Sequence, residues 1–211
     1  NNTELKYSLR SLEKFYKPDN VYVIGVLPYF LNQVTVKYIP CKNASRNAAY
    51  NIMKKAYLAA SLPELSQKFI FMNDDYFLLK PLPENIPYYF KNPNLLDSLY
   101  KNGGNDYSFH LKTTIEVLNK KSLPLKNFDT HCPIVYDKDL LREVIDSYNW
   151  EGLKSGYVLR SLYCNTLGIQ GEFKEDLKLS SKRFEPQIKR MIYQKEWFSI
   201  ADRAVNKALG N

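Results

Sequence analysis

A chain of 211 residues, 45% hydrophobic and 25% charged, can bury a sizeable core, which excludes a largely disordered protein. Thirty Lys plus Arg against 22 Asp plus Glu leave a formal charge of +8, which favours an anionic partner such as a nucleotide sugar, a nucleic acid or a membrane headgroup. No apolar run approaches the ~20 residues that span a bilayer, no signal peptide opens the chain, and three scattered cysteines (Cys41, Cys132, Cys164) fit inert core positions in a reduced, cytoplasmic compartment.

The chain opens on a predicted helix. Leu5, Leu9, Leu12 and Phe15 recur at helical spacing, Thr3 is a suitable N-cap, and Lys17-Pro18-Asp19-Asn20 ends it. Val21 to Val26 is a short, β-branched apolar run, the pattern of a strand buried on both faces, and Val34 to Ile39 is a second strand candidate. Ser45 is placed to cap a helix running from Asn47 to Ala60. Lys68 to Met72 is another apolar strand, and it runs directly into Asn73-Asp74-Asp75. Helices are further expected over 94–100, 112–120, 137–148 and 157–167, with a turn at Gly103-Gly104-Asn105 and Gly168 closing the last helix. Alternating helices and strands predict an α/β domain with a mostly parallel central sheet, whose ligands bind beyond the carboxyl ends of strands. The Asn-Asp-Asp segment stands at such an end.

Two adjacent carboxylates repel unless water, donors or a cation compensates. Oxygen ligands of this kind suit Mg²⁺ or Mn²⁺, which would bridge to a diphosphate and neutralise charge on a departing nucleotide. The bland alternative is a solvated turn. His131, in Phe128-Asp129-Thr130-His131-Cys132-Pro133, has Asp129 nearby to orient its ring and would serve as a general base or metal ligand, against a structural role. His110 has nothing beside it that supports chemistry and reads as structural. Arg10, Arg46 and Arg160 are candidate phosphate binders, because a guanidinium grips phosphate bidentately. Arg46 lies near a helix start, which also favours anions. Arg160 sits among apolar Leu159 and Leu162, so burial and an anionic partner are expected of it. No P-loop, dinucleotide fingerprint or nucleophile elbow is present.

Three blocks carry a resemblance: Glu4-Leu5-Lys6-Tyr7-Ser8-Leu9-Arg10-Ser11; Leu62-Pro63-Glu64-Leu65-Ser66 through Phe69-Ile70-Phe71-Met72-Asn73-Asp74-Asp75-Tyr76-Phe77; and His131-Cys132-Pro133. In order and approximate spacing, over about two thirds of the chain, they resemble the Stealth family of sugar-phosphate transferases, whose catalytic domains look like GT-A glycosyltransferases. The resemblance implies a GT-A-like (Rossmann-like) fold, a mostly parallel central sheet flanked by helices in one domain over 1–211. It implies metal or diphosphate at Asn73 and Asp75, donor contact by Arg10 and transfer chemistry at His131. Phe198-Ser199-Ile200-Ala201-Asp202 is similar to a late family loop near the donor, which would place Ser199 at the nucleotide sugar. Lys6 stands where the family has arginine, and the family's early strand with a Trp-Val-Asp-like segment does not occur in these residues. That strand is either upstream of residue 1 or lost.

The leading expectation is therefore a metal-dependent glycosyltransferase. It would use a nucleotide-diphosphate sugar and a hydroxyl acceptor on a polysaccharide or modified DNA base. Asn73, Asp74 and Asp75 hold Mg²⁺ or Mn²⁺, while Arg10, Arg46 and Arg160 hold phosphate. A sugar-1-phosphate transferase is the alternative. A third reading is a non-catalytic nucleic-acid-binding module, from the tail Lys178, Lys182, Arg183, Lys189, Arg190 and Lys195 interleaved with Phe184, Tyr193 and Trp197.

Overall fold

In the computed structural model, residues 3–153, 155–176, 178–179 and 198–200 are described, the last two stretches by their backbone. Helix α1 (Thr3–Phe15) carries Glu4 in its first turn and Lys14 in its last, complementing the helix dipole. Thr3, expected as the cap, is instead its first residue. Two serines on this helix pin it to the strand that follows the Asn-Asp-Asp segment: Ser8 Oγ donates to Tyr76 O at 2.6 Å, and Ser11 Oγ accepts from Leu78 N at 3.0 Å.

Strands β1 (Tyr22–Gly25) and β2 (Lys37–Pro40) pair in parallel, with Tyr22 opposite Lys37. The second strand starts later than predicted, because Val34 is 93% exposed in a turn where its N–H donates to Asn32 Oδ1. Helix α2 (Ala48–Ala60) is capped by Asn47 Oδ1, which accepts from Tyr50 N at 3.1 Å. Ser45, the expected cap, acts one step earlier by accepting from Asn47 N.

The chain then forms β3 (Lys68–Phe71), β4 (Tyr76–Phe77), β5 (Tyr89–Phe90), α3 (Leu95–Lys101), α4 (Asp106–Lys120), β6 (Ile134–Asp137), α5 (Lys138–Asp146) and α6 (Leu159–Thr166). Three short strands follow, β7 (Glu172–Phe173), β8 (Lys178–Leu179) and β9 (Phe198–Ile200). Helix α4 begins six residues before the predicted start, because Asn105 Oδ1 caps it through Ser108 N at 2.9 Å.

The α/β class holds, but the mostly parallel central sheet does not. Among the described residues the strands form four small sheets, ordered β1-β2, β3-β6, β4-β9-β8 and β5-β7. Strand β3 pairs antiparallel with β6, Phe71 opposite Ile134, rather than in parallel with β1. Nor is β1 buried on both faces: three of its four residues are half-buried, and Val26 just beyond it is 76% exposed. The reason lies in the surroundings of these apolar runs. Strands β1 and β3 line one wide cleft without hydrogen-bonding each other, so their apolar side chains face that cleft as well as the core.

The main core gathers α2, α4, α5, α6 and β6 around Met53, Leu111, Tyr136, Leu141, Leu162 and Tyr163. A second cluster of Tyr76, Phe77, Leu78, Leu82 and Cys132 packs against α1. Cys41, Cys132 and Cys164 are buried free thiols, as expected of inert core residues, and burial pushes the Cys132 and Cys164 thiols up. Among the described residues no helix is long and apolar enough to cross a membrane.

Candidate functional site

The site is assembled by the turn after β3, the loop entering β6 and the first turn of α6. Asn73 leaves β3 with its side-chain oxygen facing α6. Arg160, second residue of α6, is 6% exposed, as burial among leucines predicts. Its guanidinium ties three pieces of chain together. Nη2 donates to Asn73 Oδ1 at 3.2 Å, and Nη1 donates to Thr130 O at 2.7 Å and to Cys132 O. These partners are neutral oxygens. Among the described residues no carboxylate pairs with Arg160, so a buried positive charge is balanced by dipoles alone. Such a charge draws an anion.

The two carbonyls held by Arg160 flank His131. The ring of His131 is oriented by Asp176 and not, as the sequence suggests, by Asp129. His131 Nδ1 lies 2.9 Å from Asp176 Oδ1 and 3.0 Å from Oδ2, and His131 N donates to Oδ1 at 3.1 Å. Lys91 Nζ completes the cluster at 3.1 Å from Asp176 Oδ2. Burial alone would raise the Asp176 carboxyl. The hydrogen bond and charge of His131, followed by the charge of Lys91, outweigh it and hold the group well below the usual carboxylate range. With Nδ1 engaged, Nε2 is the ring nitrogen available for chemistry.

Two cavities meet here. The larger, about 1430 Å³, is lined by β1, β3, Asn73, Asp74, Asp75 and His131. The smaller, about 310 Å³, runs behind it and is lined by Arg160, Asp129, Thr130, His110 and Tyr136 among others. Asn73, His131, Phe71 and Ile52 belong to both. No protein-family model matches the chain, and no curated protein is significantly similar to it. The geometry therefore carries the functional reading.

Of the residues singled out in the sequence, Asn73 and His131 line both cavities, Asp74 and Asp75 line only the larger, and Arg160 lines only the smaller. Arg10 and Arg46 are exposed and line neither cavity; Arg10 stacks over Tyr7, 5.7 Å from the ring centre. Ser199 lies in β9 opposite Tyr76, the residue after Asp75, which brings its backbone beside the segment. Of the basic, aromatic tail, Lys178 lies in β8 and the remainder falls outside the described residues.

Among the described residues no group of three or more His, Cys, Asp and Glu side chains forms a metal cage. Asn73 Oδ1, expected to be a ligand, serves Arg160 instead. Asp74 and Asp75 are the residues that would hold Mg²⁺ or Mn²⁺. A pair of carboxylates is the protein share that Mg²⁺ takes when substrate phosphates and water complete its shell, so the donor set fits a cation bound together with a diphosphate. Sequence reading missed Asp176, Lys91 and Tyr136 and set His110 aside. Only packing brings them in, since Asp176 lies 45 positions from His131.

Proposed function

We propose that this chain is a nucleotide-sugar-dependent glycosyltransferase. The observation that carries the reading is the buried Arg160 without a carboxylate partner, in the wall of the smaller cavity and hydrogen-bonded to Asn73, which with the oriented His131 also lines the cleft. The donor's nucleotide and diphosphate lie in the larger cleft, against Asp74, Asp75 and the field of Arg160. A divalent cation held by the two aspartates supplies charge neutralisation as the diphosphate departs. Asn73 and the Thr130 and Cys132 carbonyls keep the guanidinium in place, so no reorganisation is needed as charge develops.

His131 Nε2 takes the proton of the acceptor hydroxyl. The acceptor oxygen forms its bond to the anomeric carbon, the bond from that carbon to the diphosphate oxygen breaks, and the nucleoside diphosphate leaves with the electron pair. Asp176 steadies the imidazolium that results, since its carboxylate remains ionised. The GT-A-like architecture and the Mg²⁺ or Mn²⁺ dependence belong to this proposal.

The test is a thermal-shift panel of nucleoside-diphosphate sugars with and without Mn²⁺. At a hundredfold excess over Kd, a true donor raises Tm by about 5 °C or more. If every nucleotide sugar leaves Tm unmoved, with or without metal, the reading fails. With the donor found, release of nucleoside diphosphate marks glycosyl transfer, and nucleoside monophosphate marks sugar-1-phosphate transfer instead.

A further inference from the structure

The 310 Å³ cavity behind Arg160 contains polar atoms that nothing in the reading above uses. Tyr136 is fully buried, and its ring is fixed by Phe69, Phe71 and Tyr163 with centroids 6.0, 5.7 and 4.8 Å away. Its hydroxyl has no hydrogen-bond partner among the described residues, and neither has Nδ1 of His110, a residue 6% exposed. Both residues line the cavity. Buried polar atoms in native proteins are nearly always satisfied, and three such orphans on residues lining one cavity, the Tyr107 hydroxyl with these two, mark a place where a ligand completes the bonding.

We propose that this cavity binds a compact hydroxyl-bearing ligand of monosaccharide size, with Tyr136 Oη and His110 Nδ1 hydrogen-bonding its hydroxyls. The volume equals about ten water molecules in the liquid, enough for one sugar ring and too little for a nucleotide. The walls suit a sugar, with apolar Ala49, Phe71 and Leu159 beside convergent polar groups from Asp129, Tyr136 and His110. Burial lowers the His110 pKa, so the ring is neutral at pH 7 and either donates or accepts at Nδ1. Asp129 supplies a further acceptor for hydroxyl protons. Asn73 and His131 line both cavities, so the site adjoins the cleft, which puts a bound sugar beside the reacting centre. The inference stands on the cavity alone and extends the reading above by assigning the sugar its own subsite.

Saturation-transfer NMR with free glucose, galactose, mannose and N-acetylglucosamine at millimolar concentration tests it, on the wild type, Tyr136→Phe and Ala48→Phe. Ala48 is an exposed helix position that lines the small cavity and not the cleft, so a phenylalanine there obstructs the site without touching the core. At least one sugar is expected to bind the wild type. Affinity should fall about tenfold in Tyr136→Phe through loss of one hydrogen bond, and binding should vanish in Ala48→Phe. No binding by any of the four sugars, or binding unchanged in both variants, overturns the proposal. The outcome is separable from the thermal-shift panel. A nucleotide sugar that stabilises a protein blind to monosaccharides sinks this inference alone, and the converse sinks the cleft reading alone.

Discussion

His131 and Asp176 are joined twice, through the ring Nδ1 at 2.9 Å and through the backbone N–H at 3.1 Å, so the carboxylate fixes both the ring and the loop that carries it. This has a pH consequence. In the unfolded chain Asp176 titrates near the ordinary ~3.9, and in the folded protein it titrates well below that. A depressed carboxylate contributes stability that is fully present above the unfolded value and is lost as pH falls toward the folded one. Asp176→Asn should therefore lower Tm at pH 7, and the gap between wild type and variant should narrow below about pH 4. A gap of equal size at pH 7 and pH 3 would show that the carboxylate charge contributes nothing.

Arg160 binds three oxygens from two separate segments, so its loss acts on stability as well as on ligand. Arg160→Ala leaves the Thr130 and Cys132 carbonyls buried without their donor, at a cost of about 3 kcal/mol in urea unfolding. Arg160→Lys keeps the charge but not the fork, and should recover only part of that stability while still weakening donor binding. A lysine variant equal to wild type in unfolding midpoint and donor affinity would remove the fork from the account.

Much of the helical framework was legible in the sequence. The periodicity of Leu5, Leu9, Leu12 and Phe15 is a local signal, and local signals survive folding, whereas the caps were less legible: Asn47 rather than Ser45 caps α2, and Asn105, expected in a turn, opens α4. Strand pairing was not legible. The apolar run Lys68–Phe71 announces a strand, but its partner Ile134–Asp137 lies more than 60 residues away, and nothing in either run specifies antiparallel order. The site divides along the same line. Asn73, Asp74, Asp75 and His131 stand out as residue types in short motifs, whereas Asp176, Tyr136 and His110 acquire meaning only once packing sets them beside the cavities. Arg160 was identified for its burial, but carbonyl oxygens take the place of the expected anionic partner.

Gly156 and Gly168 both adopt left-handed backbone, at φ +67° and +66°, yet they differ in surroundings. A Cβ at Gly156 would come 2.5 Å from Tyr50 N and 2.8 Å from Ala49 C, in the first turn of α2, while one at Gly168 meets nothing within 4 Å. Gly168→Ala should cost only the left-handed penalty of about 1 kcal/mol. Gly156→Ala adds a backbone clash that must push α2 away from the small cavity, and should cost more than about 3 kcal/mol. Equal unfolding free energies for the two variants would contradict the close approach of α2 to the segment before α6.

Asp75→Ala tests the cation. Asp74 and Asp75 are the carboxylates that line the cleft beside Asn73, and neither belongs to the two core clusters, so the variant should remain folded. The Mn²⁺-dependent part of the donor's thermal shift should disappear, and turnover should drop by about 10³-fold, the size of a lost electrostatic clamp. A metal-dependent shift that survives at low Mn²⁺ concentration would move the cation elsewhere.

His131→Gln distinguishes three roles with one protein. The ring is partly exposed and the backbone N–H keeps its bond to Asp176, but the ring's bond to that carboxylate is lost, so Tm should fall by no more than in Asp176→Asn. If Nε2 takes the acceptor's proton, turnover should fall about 10²- to 10⁴-fold with donor affinity intact, because the lost interaction belongs to the transition state. If the ring binds metal, the same variant should need more Mn²⁺, and excess Mn²⁺ should restore much of the rate. If the ring only braces the loop, Tm should fall while the folded fraction turns over normally. The Asp176 carboxylate provides the internal check. A general base steadied by Asp176 requires that Asp176→Asn lower turnover without weakening Mn²⁺ binding. A double variant should then lose little more than His131→Gln alone, since a positioning residue has nothing left to position once the ring is gone.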